Sequence, residues 1–164
     1  MDALNAIRKR CSVRKYQPRR VSREFIKKVV DTGRLAPTAW GKQPWQFVVV
    51  TDADMKSRIA GITDYGKFIK NAPACIAVFC EDTKFYLEDG CAATENMLVA
   101  ATALGLGTCW VAGDKKDYAD TVRELLAVPS SYRLVSLIAI GYARSRPQPR
   151  HKRALRDLLH WEKY

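Results

Sequence analysis

The sequence predicts a layered domain of the α/β or α+β class, with helices covering both faces of a central sheet. Four strand-length segments are almost continuously apolar, at residues 46–51, 75–81, 108–112 and 134–142. Because such strands have no polar face, the sheet must be covered on both sides, and segments with helical periodicity alternate with the strands. No linker or internal repeat divides the chain, so residues 1–164 are predicted to form one domain.

The first two helices are defined by their N-caps and by apolar spacing. Asp2 is the predicted cap of a helix in which Leu4 and Ile7 recur at helical spacing. Ser22 is the predicted cap of a second helix. We expect that helix to run to about Leu35, two residues before a proline that cannot continue it.

The longest predicted helix spans residues 85–106, a segment without proline that is rich in Ala, Leu and Met. Its apolar residues cover most of the circumference, so we expect it to be buried on nearly all sides. Gly105 and Gly107 are expected to end it. Shorter elements complete the order: a helix from Asp52 or Asp54 toward Gly61, a helix at residues 118–126, and an amphipathic ending with Leu155, Leu158, Leu159 and Trp161.

The sequence gives no indication of a disordered, secreted or membrane-spanning protein. Apolar residues make up 48% of the 164 residues, which is too many for a disordered chain. The longest apolar stretches have the length of strands and are much shorter than a membrane span. No charged start followed by an apolar run and a cleavage site opens the chain. We therefore expect a soluble, cytoplasmic protein.

Catalysis by the protein's own side chains has little support. The cysteines lack C-x-x-C spacing and are interpreted as reduced thiols, mostly in the core: Cys11, Cys75, Cys80, Cys91 and Cys109. His151 and His160 both lie near the C-terminus, away from any nucleophile paired with an acid. Neither a catalytic triad nor a metal site is predicted. These observations favour a binding protein, or an enzyme whose chemistry belongs to a cofactor.

Positive charge is concentrated near the two ends of the chain, whose formal net charge is +11. Residues 8–28 contain ten Lys or Arg against one acid, and residues 144–156 contain six against none. The rest of the chain is net acidic. This distribution suits either a nucleic-acid surface or one anionic site assembled from both ends.

Residues 10–14, Arg-Cys-Ser-Val-Arg, have the spacing of a phosphate grip. In an extended backbone, Arg10, Ser12 and Arg14 point the same way. Each guanidinium offers a planar fork of donors that matches phosphate oxygens, and the serine adds a hydroxyl. The alternative interpretation is a solvated basic turn.

Four motifs in order make the sequence similar to the FMN-dependent nitroreductase family, as a short member. They are Arg-Cys-Ser-Val-Arg at 10–14, Ala-Pro-Thr-Ala at 36–39 with Gln-Pro-Trp-Gln-Phe at 43–47, Ala-Leu-Gly-Leu-Gly-Thr-Cys-Trp at 103–110, and Ile-Gly-Tyr at 140–142 followed by a basic arm and His160-Trp161. The resemblance covers essentially the whole chain. It implies an α+β fold with a central mixed sheet and helices on both faces. It also implies an obligate homodimer with FMN in clefts at the subunit interface.

The resemblance assigns the two basic segments to the cofactor. Residues that match the family's phosphate and ribityl contacts are Arg10, Cys11, Ser12, Arg14, Lys152 and Arg153. The register within residues 150–153 stays open by about one residue. The FMN phosphate is a dianion that several cations must bind, which explains why positive charge is concentrated near both ends of the chain.

The resemblance also implies contacts to the isoalloxazine ring. Pro37, Thr38 and Ala39 would come from the other subunit, and Val111, Ala112 and Gly113 would line the opposite side, with backbone N–H groups near N5. Lys67 is a candidate for the pyrimidine edge, with an ordinary exposed lysine as the alternative. The chain departs from the family at Trp40, often a small residue, and at Gly41, often Asn. Trp40 is predicted to stack over the substrate space or to support the dimer.

The implied activity is transfer of a hydride from NAD(P)H through flavin N5 to an aromatic acceptor such as a nitro compound or quinone, with ping-pong kinetics. The same fold could instead serve specialised flavin chemistry, such as flavin reduction, reductive dehalogenation or flavin breakdown. A basic nucleic-acid-binding module is a third alternative. It has less support because the aromatic residues do not alternate with basic ones. Binding to membranes is not expected.

Overall fold

The computed structural model describes residues 1–145 and 148–164. Its α-helices are α1 (Ala3–Lys9), α2 (Arg23–Gly33), α3 (Ala53–Ile62), α4 (Tyr86–Ala103) and α5 (Ala119–Leu125). Its strands are β1 (Trp45–Val50), β2 (Ala74–Glu81), β3 (Gly107–Ala112) and β4 (Tyr132–Gly141). Three short 3₁₀ turns lie at Ala39–Gly41, Lys67–Asn71 and Leu155–Asp157. These elements confirm the predicted α+β class.

The four strands form one sheet in the order β1-β2-β4-β3, and every neighbouring pair is antiparallel. The predicted mixed sheet is therefore wrong for these strands. The helix α4 connects β2 to β3, which run in the same direction, but β4 lies between them and opposes both. Within the described ranges, parallel pairing is limited to an isolated bridge between Ser12 and Thr108.

Helices cover both faces of the sheet, as predicted. Side chains of β4 alternate between two core clusters, with Leu137 in one and Ile138 in the other. The first cluster contains Ile59 of α3 and the second contains Met97 of α4; both side chains are fully buried. The near-continuous apolar sequence of β2 and β4 is thus explained by burial on both faces.

Local signals predicted most helix boundaries. Asp2, Ser22 and Asp52 each accept a hydrogen bond from the backbone N–H three residues later, as N-caps do. In α4, Glu88 and Glu95 are the two exposed side chains, which confirms its near-complete burial. The chain leaves α4 through Gly105, whose φ of 77° suits glycine.

Two expectations about burial or length were wrong. The predicted helix α1 is present, but its apolar side chains do not face the core, because Leu4 and Ile7 are 65% and 55% exposed and Ala6 is the buried residue. Strand β1 is not buried on both faces, because it is the sheet edge, where Val49 is 40% exposed. Helix α2 ends at Gly33 rather than near Leu35, since the backbone tightens into a short turn there. No described helix has the length and apolarity to cross a bilayer.

Candidate functional site

Residues 10–14, which we call the anion segment, lie against the start of β3. The Val13 N–H donates to the Thr108 carbonyl at 2.8 Å, and Ser12 forms the parallel bridge to Thr108. Val13 is 7% exposed, whereas Ser12 and Arg14 on either side are exposed. The backbone thus alternates as the spacing predicted, with Val13 in the core and the polar side chains outside.

Two features hold the anion segment in this position. A Cβ on Gly107 would lie 2.7 Å from Val13 Cγ2, so the close approach of the two segments requires glycine. The Tyr16 hydroxyl donates to the Val13 carbonyl at 2.5 Å and also lies 3.2 Å from the Ala139 carbonyl oxygen. Burial raises the pKa of Tyr16 far above its usual value, which keeps this donor protonated.

A cavity of about 670 Å³ opens beside the anion segment, and we call it the cationic cavity. Its lining joins both ends of the chain: Ile7, Arg8, Arg10, Cys11, Ser12, Arg14, Glu95, Gln148, Pro149, Arg150 and Lys152. Glu95 is the one carboxylate in this lining, and its Oε1 lies 3.5 Å from Arg10 Nε. The two basic segments of the sequence therefore converge on one concave surface.

The C-terminal arm contributes residues 148–150 and Lys152 to the cationic cavity. Arg150 and Lys152 line it, whereas Arg153 does not. The Arg153 guanidinium instead donates from Nη2 to the Asp157 carbonyl at 2.9 Å. Of the two arm residues that the resemblance proposed, Lys152 lies at the cavity and Arg153 lies away from it.

A second cavity, of about 360 Å³, adjoins the first, and we call it the aromatic cavity. It is lined by Arg14, Tyr65, Phe68, Cys109, Trp110, Val111, Ala112, Lys116 and Tyr118. Arg14 lines both cavities, and its guanidinium carbon lies 5.8 Å from the centre of the Phe68 ring. Burial raises the pKa of the Cys109 thiol, so this side chain is a neutral thiol at neutral pH rather than a nucleophile.

Gly113 follows β3 without lining the aromatic cavity. Its N–H donates to the Val135 carbonyl at 3.1 Å, so this amide is already engaged within the protein. A Cβ at Gly113 would lie 2.6 Å from Leu134 Cγ, so the position requires glycine for packing. Of the three residues proposed beside the ring, Val111 and Ala112 lie at the cavity.

The Pro37–Ala39 loop lies in a different place. A third cavity, of about 320 Å³, is lined by Pro37, Thr38, Ala39, Phe85, Glu88, Asp89 and Ala92. It shares no lining residue with the cationic or the aromatic cavity. The buried Asp89 fixes this loop by accepting the Ala39 N–H at 2.9 Å. One protomer therefore does not bring the loop to the other predicted contacts.

Trp40 and Gly41 continue that loop in the left-handed backbone region, with φ of 55° and 66°. The Trp40 side chain is 70% exposed, and its ring meets Phe85 edge-on with centroids 5.0 Å apart. Lys67 is also exposed, and its Nζ donates to the Gly61 carbonyl at 2.9 Å. None of these three residues lines the cationic or the aromatic cavity.

Sequence reasoning missed several residues of the two adjoining cavities. Phe68 and Lys116 come from an irregular segment and a tight loop, where no periodicity indicates which way a side chain points. Arg8 contributes only to the net charge in the sequence analysis, whereas Arg150 lies within the 150–153 register that the resemblance leaves open. Within residues 1–145 and 148–164, no three His, Cys, Asp or Glu side chains are grouped as metal ligands.

Comparison with known proteins gives a consistent result. The sequence model of the nitroreductase family matches residues 7–74 and 63–142 of this chain. A Methanothermobacter thermautotrophicus protein, named provisionally as NADH dehydrogenase/NAD(P)H nitroreductase, is 36% identical over 92% of this chain and 82% of its own length. A similarly named relative from Archaeoglobus fulgidus is 35% identical over 87% of this chain and 86% of its own length.

Two solved structures superpose on this chain over essentially its full length. A Parabacteroides distasonis protein, also named provisionally as NADH dehydrogenase/NAD(P)H nitroreductase, superposes with a TM-score of 0.94 at 30% identity, covering 99% of this chain and 98% of that one. A Desulfovibrio desulfuricans protein, named provisionally as a nitroreductase and solved in complex with FMN, has a TM-score of 0.87 at 31% identity. The match covers 100% of this chain and 98% of that one.

Proposed function

This chain belongs to the nitroreductase family, and from that premise we propose that it is an FMN-dependent oxidoreductase. It takes a hydride from NAD(P)H and passes it to an aromatic acceptor such as a nitro compound or quinone. The observation that carries the proposal is the junction at Arg14, where the cationic cavity meets the aromatic cavity. The two adjoining cavities, together called the cleft, offer cations on one side of Arg14 and aromatic and apolar walls on the other.

The residues present fit FMN. Its phosphate needs charge-assisted donors, which Arg10 and Lys152 supply together with the Ser12 hydroxyl. Its flat ring needs apolar and aromatic walls, which the aromatic cavity supplies through Phe68, Val111 and their neighbours. Cys11 lines the cationic cavity and would lie beside the phosphate and ribityl chain. We propose that residues 1–164 form one FMN-binding domain.

When bound, FMN supplies the hydride acceptance and release at N5. The chain supplies position and charge. Arg14, at the junction, places a cation beside the ring as well as near the phosphate, which favours negative charge on the reduced ring. The open walls admit flat aromatic partners one after another, so the nicotinamide and the acceptor use the same cleft in turn. No side chain needs to act as a general acid or base.

An anaerobic spectral titration tests this proposal. The purified protein, reconstituted with FMN, is expected to show the flavin spectrum, to be bleached by NADH or NADPH without oxygen, and to regain colour on addition of a nitroaromatic compound or a quinone. A protein that stays colourless and does not bind added FMN would contradict the proposal. Flavin that is bound but inert to both nicotinamides would instead indicate specialised flavin chemistry.

We also propose that the active form is a homodimer. Pro37, Thr38 and Ala39 share no cavity with the other ring contacts in one protomer, and a partner subunit would bring them over the ring. The C-terminal arm also leaves large apolar side chains exposed, including Leu155 at 71% and Trp161 at 76%. Such surface is typical of an interaction face.

The variant carrying both Leu158→Glu and Trp161→Glu is expected to shift the dimer toward monomer and to weaken FMN binding. Both side chains are exposed apolar groups of the arm, at 52% and 76%, and the new carboxylates would be costly to bury at an interface. Light scattering coupled to size exclusion measures the mass. Lys163→Glu changes charge in the same arm without removing an apolar group and serves as the control. An unshifted mass for the double variant would contradict the role of the arm.

A further inference from the structure

The aromatic cavity has a buried end and an exposed rim. The buried end is formed by Cys109, Val111 and Tyr118. The rim is formed by Tyr65, which is 80% exposed, and by the half-buried Lys116. In the proposed function the flavin ring occupies this cavity, and the buried end offers it apolar contacts. The rim is then left for the molecule that arrives from solvent and meets the ring.

Lys116 and Tyr65 lie beside each other at this rim. The Lys116 Nζ lies 5.9 Å from the centre of the Tyr65 ring, within the range of a cation–π contact. In the part of the chain that the structure describes, no carboxylate forms an ion pair with Lys116. The nearby Asp114 instead accepts a hydrogen bond from the Tyr86 hydroxyl. The ammonium group of Lys116 can therefore contact a ligand.

The loop that carries Lys116 is held in place on both sides. The Lys116 carbonyl accepts the N–H of Ala119, the first residue of α5, at 2.9 Å. The Tyr118 hydroxyl donates to the carbonyl of Ala112 at the end of β3. Between these ties, Lys115 has a φ of 55°, which is unfavourable for a residue with a side chain. Unfavourable backbone that its surroundings enforce is typical of binding sites, and here it fixes the residue next to Lys116.

Two acidic residues adjoin the rim in sequence. Asp64 precedes Tyr65 and Asp117 follows Lys116; both are exposed, and neither lines the aromatic cavity. The charge of Asp64 nevertheless reaches Tyr118, whose pKa is raised by burial and by this carboxylate. An anion at the rim consequently needs a cation beside it, and Lys116 provides one.

We propose that Lys116 and Tyr65 bind the electron acceptor and that the enzyme favours aromatic acceptors carrying a carboxylate. The inference rests on the proposed function, because that function brings an aromatic acceptor to the ring at this rim. The Tyr65 ring offers a face on which a second aromatic ring packs. The Lys116 ammonium donates charge-assisted hydrogen bonds to the carboxylate. A neutral acceptor gains the aromatic contact alone.

Two ligands that differ in one charge test the proposal without turnover. By calorimetry on the oxidised, FMN-loaded protein, 4-nitrobenzoate is expected to bind about three- to tenfold more tightly than 4-nitrobenzamide, the gain of one half-exposed charge-assisted contact. Lys116→Gln should remove this difference, and Lys116→Arg should keep it. Lys115→Gln is the matched control, because Lys115 is exposed and does not line the cavity. A difference that persists in Lys116→Gln, or that Lys115→Gln also removes, would overturn the proposal.

A Tyr65→Leu variant separates the aromatic contact from the charge. It should weaken binding of both ligands by a similar factor, about two- to tenfold, because ring packing does not depend on the carboxylate. The preference for 4-nitrobenzoate over 4-nitrobenzamide should remain. Unchanged affinity for both ligands would show that Tyr65 does not contact the acceptor and would overturn that part of the proposal.

Reoxidation of the reduced protein provides the second kinetic readout. The FMN-loaded protein is photoreduced and mixed with each acceptor without oxygen, so that no nicotinamide takes part. The ratio of the rate constants for 4-nitrobenzoate and 4-nitrobenzamide is expected to fall about three- to tenfold in Lys116→Gln and to keep the wild-type value in Lys115→Gln. The intrinsic reactivities of the two compounds cancel in this comparison between variants.

Flavin reduction by NADH and NADPH is measured in the same variants. If Lys116→Gln slows that reduction while the acceptor ratio stays at the wild-type value, Lys116 contacts the nicotinamide nucleotide and the inference is overturned. If neither nicotinamide reduces the bound flavin of the wild-type protein, the proposed function fails. The calorimetric comparison still decides whether Lys116 binds a carboxylate.

Discussion

Replacing Arg14 with alanine is expected to weaken FMN binding by about 10- to 100-fold, the largest effect of any single change in the cleft. Hydrogen bonds to charged groups contribute about 1.5–3 kcal/mol each, which corresponds to that range. Arg14 has a larger expected effect than the other cations because it lines both cavities and can contact the ring as well as the phosphate. Flavin fluorescence quenching on titration of the flavin-free protein gives the dissociation constant.

The neighbouring Lys15 provides a matched control for this experiment. It carries the same charge and is exposed, but it lines neither cavity. Lys15→Ala should change the FMN affinity less than about twofold, since exposed single charges contribute little. Equal losses in the two variants would indicate a general effect of net charge and would contradict a specific role for Arg14.

Riboflavin, which lacks the phosphate, separates the two possible contacts of Arg14. If Arg14 contacts the ring, Arg14→Ala weakens riboflavin and FMN binding together; if it contacts only the phosphate, riboflavin binding is unaffected. Its position between the cavities leads us to expect that both ligands bind more weakly, with the larger loss for FMN. Unchanged binding of both ligands would show that the cleft is wrongly assigned.

The second large effect is expected from Gly107→Ala. Its new Cβ would lie 2.7 Å from Val13 Cγ2, a distance that real contacts essentially never show. Val13 is β-branched and buried, so it cannot rotate away, and the anion segment must move instead. Overpacking of this kind costs about 1–3 kcal/mol of unfolding free energy. FMN affinity should fall as well, because Ser12 and Arg14 move with Val13.

A double-mutant cycle checks that mechanism. Adding Val13→Ala to Gly107→Ala removes the two methyl groups at 2.7 and 3.0 Å and leaves only the Val13 Cβ at 2.9 Å, so the two changes together should cost less unfolding free energy than the sum of the single variants. Denaturant unfolding of the flavin-free protein gives the three values. Gly61→Ala is the control, because nothing lies within 4 Å of its Cβ on α3, and it should be neutral or slightly stabilising. Strict additivity of the first pair would contradict the proposed collision.

Short-range patterns in the sequence predicted most of the fold. The N-caps at Asp2 and Ser22, the four apolar strand segments and the long buried helix are specified by neighbouring residues, and all appear in the structure. The same holds for the anion segment, since the alternation of Val13 with its polar neighbours follows from backbone geometry alone. The concentration of charge at both ends suited either a nucleic-acid surface or one anionic site, and the structure brings both ends to one cavity.

Only the tertiary structure decided how distant segments meet. The sequence could not show that β4 lies between β2 and β3, which makes the sheet antiparallel, or that β1 is its edge. It could not choose between Lys152 and Arg153 for the cationic cavity, because one residue of register in an irregular arm reverses the side chains. These outcomes depend on packing between residues that are distant in sequence: Ala74 pairs with Ile140 in the sheet, and the arm meets residues 8–14 at the cationic cavity. Local propensity and spacing carry no information about those contacts.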